Sequence, residues 1–138
     1  MQRPGGMNQT SKSRVLVVDD EPDLAGPLAA LLEGEGYAVE TAENGEVAWS
    51  ILRTRAFDLV LCDMQMPVLD GAALIKRVAA DPAVARTPFL FMSAMSRANV
   101  TRLLGGAYPF VQKPFRIDDL FEAVRANIRG ADDDTKDR

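Results

Sequence analysis

Hydrophobic and polar residues follow two alternating patterns along the chain, one typical of buried strands and the other of helices. Continuous apolar runs at residues 15–18 and 59–62 are typical of strands that are buried on both faces of a sheet. Between such runs, apolar residues recur three or four positions apart, which is the period of an amphipathic helix. The patterns predict strands over residues 14–18, 37–42, 58–63, 88–92 and 108–112. They predict helices from 22 to 34 or 36, from about 44 to 54, around 74–78, from 96 to 104 and from about 117 to 128.

Strands and helices alternate from residue 14 to about residue 129, which predicts a parallel sheet with helices on both of its faces. Pro27 lies inside the first helix, where it removes a backbone hydrogen bond and predicts a bend. Pro109 is tolerable if the last strand lies at a sheet edge. The apolar sides predicted for the first and fourth helices are formed by Leu24, Leu28, Leu31 and Leu32, and by Val100, Leu103 and Leu104.

The composition predicts one domain with a substantial core, since 47% of the 138 residues are hydrophobic. A net charge of −4 argues against direct attraction to nucleic acid phosphates. No apolar run reaches the roughly 18 residues of a membrane span, so we expect neither a nucleic acid nor a membrane partner. We expect a flexible N-terminal leader over residues 1–13, a folded domain over 14–130, an acidic C-terminal tail over 131–138, and no output domain.

Two residue types restrict the chemistry that this chain can carry. Cys62 is the only cysteine and lies in an apolar run, which excludes an internal disulfide and favours a reducing compartment, by default the cytoplasm. The sequence has no histidine, so it carries neither a phosphohistidine nor a Ser-His or Cys-His catalytic pair. A phosphoryl group that passes through a histidine must therefore come from another protein.

Three carboxylates follow two of the predicted strands. Asp19 and Asp20 end the first strand, and Asp63 ends the third. If these strands are parallel neighbours, the three groups meet at one sheet edge, where like charges raise one another's pKa and favour a divalent cation. The same edge, where open α/β sheets bind ligands, also receives Ser93 and Lys113. Each group alone is as typical of a helix cap or a turn, but their conjunction predicts a Mg²⁺ site.

The residues at these strand ends resemble those of the receiver domain of two-component response regulators. The matching stretches are Val-Leu-Val-Val-Asp-Asp-Glu at 15–21, Asp-Met-Gln-Met-Pro-Val-Leu-Asp-Gly at 63–71, Ser-Ala at 93–94 and Lys-Pro-Phe at 113–115. Together they cover nearly all of residues 14–130. The resemblance implies an α/β, flavodoxin-like, doubly wound five-stranded parallel sheet of order 2-1-3-4-5 with five helices.

The resemblance also implies a role for each residue of the site. Asp63 is implied to be the phosphoacceptor, Lys113 to pair with a phosphoryl oxygen, and the Ser93 hydroxyl to donate to another. Asp19 is implied to reach the metal mainly through a coordinated water. The implied Mg²⁺ ligands are Asp19, Asp20, Asp63 and the main-chain carbonyl of Gln65.

Ser93 and Phe110 are the residues that the resemblance implies for a switch, in which Ser93 moves toward the phosphoryl group and Phe110 enters the vacated space. A fixed core role for Phe110 stays equally open, because its ring lacks the hydroxyl of a tyrosine. Gln65 and Met95 occupy positions that shape the path of the hydrolysing water in this family. A thioether orients water poorly, so we hypothesise slow loss of the phosphoryl group.

The leading interpretation is a stand-alone response regulator that takes its phosphoryl group from a histidine kinase or a histidine phosphotransfer protein and signals to a downstream protein target. It is not interpreted as an enzyme beyond self-phosphotransfer and autodephosphorylation, and a phosphorylation-dependent homodimer is left open. The alternative is a receiver-fold adaptor that acts without phosphorylation. A phosphohydrolase of the haloacid dehalogenase type would have a second Asp at position 65, where Gln65 stands.

Overall fold

The computed structural model describes residues 12–66 and 68–130. Most of the predicted leader and the whole predicted acidic tail lie outside the described residues, so both stay predictions. Within the described part of the chain, no helix is long and apolar enough to cross a membrane.

Five strands form one parallel sheet within the described residues, and their order across it is 2-1-3-4-5. The predicted fold class is therefore confirmed. The central strands bury all or nearly all of their residues, as their continuous apolar runs predict, whereas the two edge strands are half-exposed. The strands are β1 (Arg14–Val18), β2 (Ala38–Ala42), β3 (Leu59–Asp63), β4 (Phe89–Ser93) and β5 (Phe110–Gln112).

Three of the five helices of the described residues begin at a residue whose side chain caps the helix. Asn44 accepts a hydrogen bond from Val47 N at 2.9 Å, and Ser96 accepts one from Asn99 N at 3.2 Å. Pro22 occupies the first turn of its helix, as predicted. The helices are α1 (Pro22–Gly34), α2 (Gly45–Leu52), α3 (Gly71–Ala79), α4 (Arg97–Leu104) and α5 (Ile117–Asn127).

Successive strand residues point to opposite faces of the sheet, and each face has its own core. On one face, α1 and α5 cover apolar side chains that include Val15, Val17, Leu61 and Met92. On the other face, α2, α3 and α4 cover a second cluster that includes Leu16, Val60, Cys62 and Phe91. The helices therefore lie on both faces, and the loops at the carboxyl ends of the strands are left to form a site.

Two predicted core residues are wrong. Leu31 of α1 is 44% exposed and Leu103 of α4 is 41% exposed. The buried stripe of α1 runs through Leu28 and Leu32, and that of α4 through Val100 and Leu104. Because a helix turns by about 100° per residue, Leu31 and Leu103 lie on the flanks of these stripes rather than within them.

Strand β5 is shorter than predicted, because it begins only after Pro109. Proline has no backbone N–H to give to a sheet, although its carbonyl accepts from Phe91 N at 3.0 Å. The strand lies at the sheet edge, which is the position expected for a segment interrupted by proline. Only half-buried residues and one exposed residue make up this strand.

The first and last described elements meet at Asp58, directly before β3. Arg14 N donates to Asp58 Oδ2 at 2.8 Å, and Arg129 N donates to the main-chain oxygen of Asp58 at 2.9 Å. These contacts lie at the amino ends of the strands, opposite the end that carries Asp63.

Candidate functional site

Asp19 follows directly after β1 and is the most buried of the predicted acids, with 2% of its surface exposed. Its Oδ1 accepts a hydrogen bond from Glu21 N at 2.9 Å, which fixes the carboxylate at the start of α1. The next residue, Asp20, is exposed to solvent. The strand thus delivers one buried and one exposed carboxylate to the same place.

Asp63 is the last residue of β3 and is 7% exposed. Its Oδ1 accepts from Gln65 N at 3.3 Å. The pairing of Val18 with Cys62 in the parallel ladder brings Asp63 next to Asp19. The main-chain carbonyl of Gln65 stays a prediction as a metal ligand.

Asp19, Asp20 and Asp63 each offer one carboxylate oxygen, and these oxygens lie within 4.8 Å of one another. Burial raises the pKa of Asp19 and of Asp63, and repulsion from a neighbouring carboxylate adds to the rise in both. Among the described residues, the buried oxygen Asp19 Oδ2 has no hydrogen-bond partner. A cation would neutralise this cluster, and carboxylate oxygens are preferred Mg²⁺ ligands, so the residues fit that ion.

Lys113 places its ammonium group beside the same carboxylates. Its Nζ lies 3.5 Å from Asp63 Oδ2 and 3.9 Å from Asp19 Oδ2. The longer distance is an ion pair rather than a hydrogen bond, so Lys113 leaves Asp19 Oδ2 unsatisfied. The side chain is 24% exposed, and it therefore sits between the buried cluster and solvent.

Ser93 ends β4, whose neighbour in the ladder is the strand that carries Asp63. The Ser93 side chain is buried, and its Oγ accepts from Met95 N at 2.9 Å. Phe110 begins β5 and is half-buried against the core of one sheet face. The structure thus brings the three acids, Ser93 and Lys113 to the carboxyl end of the sheet, and Lys113 pairs with Asp19 and Asp63. Phe110 lies at the amino end of β5, where it pairs with Phe91 rather than with Ser93.

Gln65 and Met95 line one cleft of about 450 Å³ beside Asp63. Met64, Met66, Ala72 and Leu103 complete much of its wall. Water that reaches the site by this route meets thioether and aliphatic groups together with two exposed polar side chains, the Gln65 amide and the Asp70 carboxylate.

Sequence reasoning missed two residues next to the site. The guanidinium of Arg97 lies 4.9 Å from the centre of the Phe110 ring, which is within range of a cation–π interaction. Gly45 donates its backbone N–H to the main-chain oxygen of Leu69 at 3.1 Å, in the loop after Asp63. The first contact depends on how α4 packs against β5, for which the sequence holds no signal. The Asn44-Gly45 pair is a turn signal that could have drawn attention to the second.

Solved structures of similar proteins share this fold. Chemotaxis protein CheY4 of Vibrio cholerae matches with a TM-score of 0.77 at 27% identity, covering 83% of this chain and 98% of that one. Response regulator protein TrrA of Thermotoga maritima, solved in complex with Mg²⁺-BeF, matches with a TM-score of 0.73 at 33% identity. That match covers 82% of this chain and 96% of the TrrA chain.

Sequence comparison points to the same proteins. Response regulator GtcR of Aneurinibacillus migulanus is 36% identical over 120 residues, which cover 85% of this chain and 48% of GtcR. The chain spans about half the length of the curated relatives that it matches first, with 48% and 52% of their lengths covered. The family model described as the response regulator receiver domain matches residues 15–125. Together with the parallel sheet and the acids at its carboxyl end, this match shows that the chain belongs to the receiver domain family of two-component response regulators.

Proposed function

We propose that this receiver domain accepts a phosphoryl group on Asp63 in a Mg²⁺-dependent reaction and signals through protein–protein contacts that depend on phosphorylation. The observation that carries the proposal is Asp19 Oδ2, a buried carboxylate oxygen without a hydrogen-bond partner among the described residues. Acids that served only as helix caps would have their buried oxygens satisfied by backbone N–H groups. An oxygen left free next to two other carboxylates suits a site that takes up a cation.

Asp20, Asp63 and the main-chain carbonyl of Gln65 would hold Mg²⁺ directly, and Asp19 would act mainly through a coordinated water. When bound, the ion supplies positive charge for the phosphoryl oxygens. The Mg²⁺-BeF complex of the Thermotoga maritima relative supports this assignment, since the two chains are 33% identical.

Asp63 supplies the nucleophile, a carboxylate oxygen that attacks the phosphorus of the donor. With a phosphohistidine donor, an O–P bond forms as the P–N bond breaks, and the imidazole nitrogen keeps the electron pair of that bond. Lys113 holds its ammonium 3.5 Å from Asp63 Oδ2, close enough to pair with an incoming phosphoryl oxygen. Ser93 would donate its hydroxyl to a second phosphoryl oxygen. Positioning and charge neutralisation supply most of the catalysis, and the chain needs no general base for the attack.

The proposed donor is a histidine kinase or a histidine phosphotransfer protein, because the chain has no histidine of its own. The proposed output is contact with a downstream protein, with movement of Ser93 and Phe110 as the switch. Stand-alone action, a phosphorylation-dependent homodimer and a cytoplasmic location stay predictions. The mass of the protein isolated from its own cell tests stand-alone action. An unchanged or a doubled mass in solution after phosphorylation tests the homodimer, and cell fractionation tests the location.

The proposed phosphoryl lifetime is long, because the Met95 thioether, which lines the same cleft as Gln65, orients a hydrolysing water poorly. Decay of the labelled protein in Mg²⁺, followed by intact mass, tests this part. A half-life as short as the time of the first measurement would contradict it.

Incubation with Mg²⁺ and acetyl phosphate, followed by intact mass measurement, tests the central proposal. We expect one phosphoryl group per chain, and none without Mg²⁺ or in the Asp63→Asn variant. Asp58→Asn, at the opposite end of β3, is the matched control and should still be labelled. Absence of label on the wild type would favour the adaptor that acts without phosphorylation. Continued turnover of many phosphate esters would favour a phosphohydrolase.

A further inference from the structure

The amino end of α2 lies in unusually close contact with the loop that follows Asp63. A Cβ atom placed on Gly45 would lie 2.2 Å from the main-chain oxygen of Leu69, 2.7 Å from its Cβ and 2.9 Å from its carbonyl carbon. Two of these three atoms belong to the backbone and cannot rotate away. Any side chain at position 45 must therefore push the two segments apart and stretch the 3.1 Å hydrogen bond from Gly45 N to Leu69 O.

The segment held by this contact is the phosphoacceptor loop, defined here as residues 64–66 and 68–70. Its two ends are pinned close to Asp63. Gly71 N donates to Met64 O at 3.2 Å, and a Cβ on Gly71 would lie 2.8 Å from the main-chain oxygen of Asp63. Because Gly71 is held against Met64 and Asp63, a displacement of Leu69 meets resistance at that end of the loop.

Val68 gives a second reason to regard the loop as held from outside. Its φ of 71° lies in the left-handed region, which a β-branched residue rarely adopts. The Val68 side chain is 76% exposed, so its own packing offers little to offset that conformation. The adjacent residue, Leu69, is restrained by the hydrogen bond from Gly45 N to its main-chain oxygen and by its side chain, which is buried in the core of that sheet face.

We propose that Gly45 is a positioning residue for the phosphoryl transfer reaction. Its missing side chain lets α2 approach Leu69 closely enough to fix the phosphoacceptor loop, and so to fix the Gln65 carbonyl that would bind Mg²⁺. The inference rests on the proposed function, since it concerns the metal site of that same reaction. Gly45 touches neither metal nor phosphoryl group, and it acts through Leu69 and the loop.

The test is the Mg²⁺ affinity of the full chain carrying Gly45→Ala, measured by isothermal titration calorimetry. We expect the dissociation constant to rise about tenfold, the size typical of losing a residue that orients metal ligands. The acetyl phosphate labelling rate at low Mg²⁺ should fall by a similar factor. Gly34→Ala is the matched control, since a Cβ there meets nothing within 4 Å, and its affinity should equal that of the wild type.

Two further variants separate positioning from general loss of stability. Val124→Ala removes packing in the core on the other face of the sheet, and it should lower stability without changing Mg²⁺ affinity. In the double variant Gly45→Ala/Val68→Gly, the glycine at position 68 can adopt left- or right-handed backbone conformations, so the loop can shift without strain. We expect this double variant to recover thermal stability but not Mg²⁺ affinity, and it carries the test if Gly45→Ala alone does not fold.

The outcomes are distinguishable. Equal Mg²⁺ affinity of the wild type and Gly45→Ala would overturn the inference and leave the proposed function intact. Recovery of both stability and affinity in the double variant, or weakened affinity in Val124→Ala, would also overturn it. A wild type that takes up no Mg²⁺ would overturn the proposed function and the inference together.

Discussion

The two halves of the candidate site differ in how firmly the fold holds them. The acid half, at the ends of β1 and β3, is carried by interior strands, and two of its three carboxylates, Asp19 and Asp63, are almost fully buried. The other half, at the ends of β4 and β5, includes Phe110 on a three-residue edge strand that is half-exposed. An interior strand cannot shift without disturbing hydrogen bonds to a strand on each side, whereas an edge strand borders only one strand. The acid half is therefore suited to holding chemical groups in fixed positions, and the other half is suited to a conformational change.

The largest expected effect separates catalysis from metal binding at the contact between the two halves, where Lys113, which follows β5, reaches the acids at the ends of β1 and β3. Lys113→Ala should lower the rate of Asp63 labelling by acetyl phosphate about 100- to 1,000-fold, because it removes a positive charge aimed at the phosphoryl oxygens. Mg²⁺ affinity should not fall, because the variant removes the Lys113 ammonium, a positive charge that lies beside the metal ligands. Intact mass against time and calorimetry give the two quantities. Lys76→Ala, exposed on α3, is the control.

A loss of Mg²⁺ affinity in Lys113→Ala equal to the loss of rate would contradict this separation. It would mean that Lys113 organises the acids rather than the phosphoryl group.

Asp19→Asn should weaken Mg²⁺ binding by about tenfold or more while it stabilises the metal-free protein. An amide keeps the oxygen that accepts from Glu21 N, but it removes a buried charge whose pKa burial raises. We therefore expect the free energy of unfolding of the metal-free protein to rise. Calorimetry and urea unfolding without metal measure the two effects. Asp23→Asn, exposed in the first turn of α1, should change neither by a comparable amount.

Opposite signs for stability and affinity are the mark of a functional acid. If Asp19→Asn destabilised the metal-free protein instead, its carboxylate would be a structural cap.

The pH dependence of stability sharpens the same comparison, because the raised pKa values belong to the acid half. With pKa values of Asp19 and Asp63 above the ordinary range, the folded protein binds more protons than the unfolded chain in that window. Stability of the metal-free protein should therefore fall as pH rises through the raised pKa values and level off above them. Urea unfolding across a pH series, with and without Mg²⁺, measures this slope.

Glu40 contributes the opposite sign, since Arg55 and Arg14 lower its pKa and its stabilisation is lost as pH falls through that lowered value. The slope due to the acid half is therefore taken as the difference between the wild type and Asp19→Asn. An identical slope in both proteins would show that the cluster does not govern it.

The smallest expected effect lies in the other half. Arg97→Ala removes the cation–π contact with the Phe110 ring, which is worth about 0.5–1 kcal/mol, and should lower the unfolding free energy by no more than that. Mg²⁺ affinity should stay the same, because Arg97 does not contact the acids. Arg102→Ala, which removes a hydrogen bond to the Asn99 side chain, is the matched control on α4. A change in Mg²⁺ affinity would contradict the independence of the two halves.

The elements of the fold could be predicted from the sequence because the three interior strands are nearly all apolar and the helices carry apolar stripes. The strand order followed from the resemblance to receiver domains. The position of the acids followed as well, since Asp19 and Asp63 end strands that parallel pairing must bring together. The errors at Leu31 and Leu103 arose because both residues lie on the flank of a buried stripe, where spacing alone does not decide exposure.

The parts that could not be predicted depend on backbones that meet in three dimensions. Gly45 looks like an ordinary glycine at a helix start. The structure shows why a side chain is excluded there, because a Cβ atom at this position would lie 2.2 Å from Leu69 O. The left-handed backbone of Val68 could not be predicted either, because a β-branched residue favours extended backbone.

The meeting of Arg14 and Arg129 at Asp58 has a practical consequence for labelling and for fusion proteins. Both ends of the described chain emerge at the pole of the sheet that lies about 16 Å from Asp63, the rise of five strand residues. A fluorophore, a tether or a fused protein attached at residue 12 or residue 130 is therefore at the opposite end of the strands from Asp63. Surface immobilisation through a linker at residue 12 or residue 130 should leave the three acids facing the solution and open to an incoming phosphodonor.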